Sequence, residues 1–295
     1  MAAVLETSME PPYRKRMIHL TIEKLPQPIF LSDCGELLQI ITSVLSGWEI
    51  KTAAPPSLQD PIITIKKTIN GYERTSPWLS QPIVFENSVN AVCDLIVDLI
   101  KYYISENQSL LCLHCAAVQI GGGLIVFPST YNAGKSTLAA HLAAAGMNLF
   151  ADDVMPINGD DNRGVAPGIQ PRLRLPLPEN TDPSFRNFID QMCGPKSQRF
   201  VYLNLGQDKL APLGTTATIR GFVLLRRTDE GNATLASVRK SEVLKNAVLR
   251  NFSRDVAAVD VLDRLFGLVE GADCYTLNYS SPNDAVRLLD EAFGS

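Results

Sequence analysis

Read for its pattern of apolar and polar positions, the chain shows short alternating runs at the front and longer, more continuous apolar runs behind. Residues 1–16 form a polar lead-in. From Ile18 to Ile83 come β-rich runs, IHLTIEKL and PIITIKKTI among them, separated by the turn-forming clusters AAPPSLQD and NGYERTSPW. GELLQIITSVL predicts a helix between them. Asn87 and Ser88 are placed to cap a long amphipathic helix, SVNAVCDLIVDLIKYYISEN, whose apolar residues recur at three- and four-residue steps. That helix links a small α+β N-terminal region, residues 1–86, to a larger α/β region, residues 87–295.

The larger region opens with two apolar runs, LLCLHCAAVQI and LIVFPS, around Gly121, Gly122 and Gly123, which predicts a β-hairpin. A loop then enters an Ala/Leu-rich helix over 135–145, with Gly146 as its stop. The strand after it ends in Asp152 and Asp153. Beyond Gly168, IQPRLRLPLPENTDPSFRNF and MCGPKSQRF read as Pro- and Arg-rich loop leading into the strand FVYLNL. The remainder alternates strands (ATIRGFVLLRR, ATLASVRK, DCYTLNYS) with helices (EVLKNAVLRNF, AAVDVLDRLFGLVE, PNDAVRLLDEAF).

Composition narrows the classes. The 295 residues are 45% hydrophobic and 20% charged, which sets aside disorder and a disulfide-dense scaffold. A net charge of −4 with interspersed signs argues against nucleic acid as a partner. Every long apolar stretch is broken by charge, so no membrane-spanning helix is expected, and the start of the chain lacks the apolar core of a signal peptide. Six cysteines are sparse, and the expected compartment is cytoplasmic. Cys112 and Cys115 are not a redox or zinc pair: three apart on a strand they face opposite sides with Cα atoms about 10 Å apart, beyond disulfide reach.

The chemistry concentrates at one place. Ser129, Thr130, Tyr131, Asn132, Ala133, Gly134, Lys135 and Ser136 fill the frame G-x-x-x-x-G-K-[ST], with serine in place of the first glycine. In that frame loop amides and a helix N-terminus converge on phosphate, the lysine reaches the β and γ phosphates, and the hydroxyl of Ser136 sits on Mg²⁺. Thr137 continues the same turn. Asp152 and Asp153, 17 and 18 residues past Lys135, end the next strand, where a second magnesium contact belongs. A regular strand would aim one of them at the metal; the other becomes available as a base if the strand breaks up there. If Gly121 to Gly123 form a three-residue loop, His114 lies opposite Thr130, beside the mouth of the phosphate loop. Arg172 and Arg174 share a face if PRLRLP is extended, and Lys196 and Arg199 lie in a Gly/Pro loop; either pair would suit phosphates or an acidic acceptor. His19 and His141 read as packing residues.

This order of parts, LHCAAV then NAGKSTLA then FADDVMPI, resembles the C-terminal domain of the HPr kinase/phosphorylase family, closest over residues 110–157. The resemblance implies an α/β phosphate-loop fold of the HPr kinase and phosphoenolpyruvate carboxykinase type, a mixed sheet with flanking helices. It implies an ATP- and Mg²⁺-dependent kinase acting on a hydroxyl, the serine of a protein or peptide or a small molecule. In it Asp152 takes the acceptor's proton, His114 stands near the transferred phosphate, and Ser136 and Asp153 hold magnesium. Ser129 and Thr137 depart from the family, which has glycine and an acidic residue there, so the acceptor is left open. A nucleotide-binding regulatory module without catalysis is the alternative, and a carboxykinase-like enzyme a third. Ring-forming relatives make a homo-oligomer an expectation to test.

Overall fold

The computed structural model describes residues 17–53, 60–130, 133–253 and 256–294. The polar lead-in and two residues of the phosphate loop, Tyr131 and Asn132, lie outside the described residues. The chain is a mixed α/β protein with several sheets and, among the described residues, seven helices.

Strands β1 (Met17–Ile22), β2 (Leu25–Ser32), β3 (Ile50–Ala53), β4 (Ile63–Thr68), β5 (Gly71–Thr75) and β6 (Ile83–Phe85) form one sheet in the order β3-β1-β2-β4-β5-β6. Helix α1 (Leu37–Val44) and the long helix α2 (Ser88–Ser105) cover it. Asn87 caps α2 by accepting the Asn90 amide. One face of α2, with Val92, Leu95, Leu99 and Tyr102, joins the core of this sheet. Where α2 meets β5 the core holds a charged cluster. Arg74, 1% exposed, donates to Asp94 and to fully buried Asp98, which also takes Ser76 and Lys101. A buried pair tolerates loss of one partner badly, because the other is left uncompensated. Asp98→Ala is therefore expected to cost about 3–5 kcal/mol, read as a lowered urea midpoint at unchanged slope.

The rest builds on a central sheet. Its elements are β7 (Leu111–Leu113), β8 (Ala116–Ile120), β9 (Gly123–Phe127), α3 (Lys135–Ala144), β10 (Asn148–Ala151), β11 (Met155–Ile157), β12 (Gly164–Val165), β13 (Arg172–Arg174), α4 (Pro183–Gln191), β14 (Cys193–Lys196), β15 (Phe200–Leu203), β16 (Thr216–Ala217), β17 (Ile219–Arg227), β18 (Thr234–Ser237), α5 (Lys240–Arg250), α6 (Ala258–Glu270), β19 (Asp273–Tyr279) and α7 (Pro282–Phe293). The central order is β10-β8-β9-β17-β19-β18, with β9, β17 and β19 parallel. Smaller sheets of order β16-β12-β11-β7 and β13-β15-β14 flank it.

Alternation sorts the central strands between two cores. Ile125 and Phe127, Val223 and Leu225, and Leu277 join the core under α3, α4 and α7. Leu124 and Val126, Phe222 and Leu224, and Cys274 join the core under α5 and α6. Strands buried on both faces read as near-continuous apolar runs, as these do. Among the described residues no helix is long and apolar enough to cross a membrane.

Two expectations need correction. The hairpin loop is two residues: Ile120 pairs with Gly123, and Gly121 (φ +55°) and Gly122 (φ +81°) supply the positive φ values that a tight hairpin turn needs. The register expected from a three-residue loop is thus off by one. His114 lies outside β8, in the break between β7 and β8, where its amide donates to the Arg250 carbonyl at 2.8 Å. The segment read as loop after Gly168 also contains a helix, α4. Asp182 caps it by accepting the Ser184 and Phe185 amides, and Pro183 occupies its first turn.

Candidate active site

The phosphate-loop frame lies between β9 and α3, as strand, loop and helix. Gly134 caps the helix at φ +86°, a conformation that favours glycine, and a Cβ there would meet the Tyr279 hydroxyl at 2.8 Å. The first helical bond runs from the Leu138 amide to the Gly134 carbonyl at 2.8 Å. The amides of Lys135, Ser136 and Thr137 precede it and stand outside the helix ladder. Lys135, 8% exposed, folds back so that Nζ donates to the Ser129 and Thr130 carbonyls, each at 3.1 Å. Burial lowers its pKa; Asp153 opposes that most strongly.

Ser129 has a structural task that a glycine would leave undone. Its hydroxyl accepts the Leu225 amide at 2.7 Å, tying the loop's start to β17 in the buried sheet. Ser129→Gly would leave that amide unpaired, so a loss of about 1–3 kcal/mol in stability is expected, with nucleotide affinity little changed. Thermal melts and nucleotide titrations of the variant check this.

Strand β10 stops at Ala151, and Asp153 takes φ +76°, which breaks the alternation. Both carboxylates consequently line one cavity together with Ser136 and His114. Asp152 is 8% exposed; one oxygen accepts the Arg172 amide at 3.2 Å, and buried Oδ1 has no hydrogen-bond partner. Burial and the neighbouring Asp153 push its pKa up to about 6, against the pull of Ser136 and Arg172. Asp153 is more open. His114 Nε2 stands 3.4 Å from its Oδ1, and an Arg172 guanidinium nitrogen 3.5 Å from its Oδ2. Burial leads in lowering the His114 pKa, with Lys135 and Arg250 adding to it.

Arg172 and Arg174 flank buried Leu173 on β13, and both line the cavity. Arg172 also reaches Cys93 of α2 and lies over the Phe200 ring. Lys196 and Arg199 are exposed around the β14–β15 turn, and neither lines the cavity. Cys112 and Cys115 are buried free thiols.

Sequence reasoning missed part of the wall. His141 lines the cavity as well as packing, its ring stacked on Phe185 at 3.4 Å between centroids. Burial pushes its pKa down to about 4, opposed by Asn283 and Asp182. The stripe of α2 carrying Ile96, Val97, Ile100 and Ile104 also faces this space, whose volume is about 1030 Å³. Ile96 and Ile100 belong to the buried stripe of α2 and Val97 and Ile104 lie beside it, and an apolar arc wider than one packing face was the available signal.

The chain matches no protein-family profile and no curated protein. Among solved structures it is similar to the Hpr(Ser) kinase/phosphatase from Coxiella burnetii, at 11% identity and a TM-score of 0.31, over 61% of this chain and 95% of that one. A likeness of that size describes a distant relationship at most and carries no argument about activity.

The residues present suit a nucleotide with magnesium. Asp152 Oδ1 is a buried carboxylate oxygen with no hydrogen-bond partner, on a carboxyl whose charge Ser136 favours, and such an atom is costly unless a cation or donor completes it. Ser136 with Asp153 or Asp152 would hold the ion. Among the described residues no group of three or more His, Cys, Asp or Glu side chains is arranged to hold a metal, so oxygens of a bound phosphate would have to complete the shell.

Proposed function

We propose that this protein is a Mg²⁺-dependent kinase that moves the terminal phosphate of ATP to a hydroxyl acceptor. The observation that carries the reading is the convergence on one cavity of a glycine-capped helix N-terminus, Lys135, Ser136 and a buried carboxylate with an unpartnered oxygen. The amides at the start of α3 and the Lys135 ammonium would receive the phosphate chain. Bound magnesium would neutralise charge on the β and γ phosphates. Asp152, with its pKa near the operating range of a base, would take the proton from the acceptor hydroxyl. His114 and Arg172 hold Asp153 from two sides and would orient it toward the phosphate.

Nucleotide titration tests this reading. A fluorescent ATP analogue should bind in a saturable, Mg²⁺-dependent manner. ATP and ADP should displace it far better than AMP, because the loop reads the β and γ phosphates. Equal displacement by AMP would contradict the assignment. Binding without transfer to any acceptor, and indifference to Asp152→Asn, would favour the regulatory module instead.

A further inference from the structure

Helix α2 carries apolar residues on two faces. Val92, Leu95 and Leu99 pack into the N-terminal core. A second stripe, Cys93, Ile96, Val97, Ile100 and Ile104, recurs at helical steps along three turns and lines the cavity beside Trp78, interleaved with Lys101 and Ser105, and its Ile96 and Ile100 are shared with the N-terminal core. Val97 is 48% exposed there. Helices α4 and α7 pack on α3 at the other side of the phosphate loop, whereas α2 packs on the N-terminal sheet. The cavity thus has a polar side built by the loop and a mostly apolar side built by α2 and Trp78. Pockets for one small ligand span about 300–1,000 Å³, and this cavity, at about 1030 Å³, stands at the top of that range.

We infer that the phosphate acceptor is a small alcohol with an aromatic or branched aliphatic body, seated against α2 and Trp78. The inference rests on the kinase reading and names its acceptor. A mostly apolar wall, whose Lys101 is already bonded to Asp98, disfavours a polyol or an amino acid, whose remaining polar groups would find few partners there. It binds an apolar body by area, and leaves the hydroxyl as the one group directed to the aspartates. In the step itself the acceptor oxygen bonds to the γ phosphorus and the bond from that phosphorus to the β–γ bridging oxygen breaks. The hydroxyl proton passes to Asp152, and ADP leaves with the bridging oxygen's electron pair. Nothing beyond ATP and the alcohol is consumed.

Trp78 supplies the readout, because the chain's other tryptophan, Trp48, is buried with its indole N–H on the Pro167 carbonyl at 2.7 Å. Geraniol and 2-phenylethanol, the probes used, should shift Trp78 emission in a saturable way, whereas glycerol and N-acetylserinamide should not. Trp78→Phe should remove the signal. Val97→Asp, at a position open enough to keep the fold, should raise the alcohol midpoint at least tenfold while the fluorescent ATP analogue binds as before. With labelled ATP, label should appear on the apolar alcohols in preference to the polar ones. The absence of a saturable response, or equal labelling of glycerol, would overturn the inference. So would a Val97→Asp defect confined to the nucleotide, which would assign the wall to the base. Alcohol binding in a protein that binds no nucleotide would sink the kinase reading, and the acceptor assignment with it, while the alcohol titration itself stood.

Discussion

Asp152→Asn is expected to lower phosphoryl transfer by roughly 10²–10⁴-fold, the usual worth of a positioned base, and at the same time to stabilise the protein near neutral pH. The two effects share one cause. Asp152 is buried beside Asp153 with one oxygen unpartnered, so its ionised form is penalised and its pKa rises to about 6 from 3.8. A carboxyl with a raised folded pKa contributes its stability below the unfolded value, and that contribution is lost as pH rises through about 6. Above that pH the penalty amounts to about 3 kcal/mol at 1.36 kcal/mol per unit. Asparagine keeps an acceptor for the Arg172 amide and removes the charge. Thermal melts near pH 8 should therefore show a higher midpoint for the variant than for the parent.

Acid narrows the difference. His141 is held neutral, its pKa pushed down to about 4, so its contribution is present above the free-histidine range and lost as pH falls through about 4. In the parent protein the two groups oppose each other between pH 4 and 6. With Asp152 replaced, only the His141 contribution remains, and the variant should lose stability on acidification faster than the parent. Melts at pH 5 and 8 measure the narrowing. Activity of the parent should fall as pH drops below about 6, because a protonated Asp152 cannot accept a proton.

Lys135→Ala should reduce transfer by at least about 10²–10³-fold, the loss seen when one charge-stabilising donor is removed, and should weaken nucleotide binding in step. The lysine is buried, bonded to two loop carbonyls, and lies among Asp152, Asp153 and Arg250. A phosphate chain would replace those carbonyls as its partner. Burial already disfavours its charge, so folding should survive the substitution. Single-turnover transfer and equilibrium nucleotide binding, measured on the same preparation, separate loss of binding from loss of the chemical step. Unimpaired turnover in this variant would end the kinase assignment.

The parts of the site that follow one another in the chain were legible beforehand. The start of α3 at Lys135, the end of β10 just before the paired aspartates and Gly146 with its positive φ after α3 all follow from local spacing and turn chemistry. What depends on distant segments was not. The role of Ser129 required knowing that Leu225 lies beside it, a pairing 96 residues apart. His114 illustrates a partial success. Its neighbourhood followed from the hairpin, but the register did not, because a run of three glycines does not say which two form the turn. Helix α4 was missed although Asp182-Pro183 is a helix-start signal; only two buried apolar residues, Phe185 and Ile189, support its nine residues. The acceptor wall on α2 was hidden for a further reason. Apolar residues that face an enclosed cavity and those that face a core look the same in a one-dimensional pattern.

A crystal structure with a non-hydrolysable ATP analogue and Mg²⁺ bears most directly on the whole picture. A triphosphate should be cupped by the backbone around Gly134 to Ser136, with Lys135 swung from the Ser129 and Thr130 carbonyls onto phosphate oxygens. Asp152 Oδ1 should gain a partner in the bound metal or the acceptor. A nucleotide lodged elsewhere, with Lys135 still bonded to those carbonyls and Asp152 still unpartnered, would contradict it.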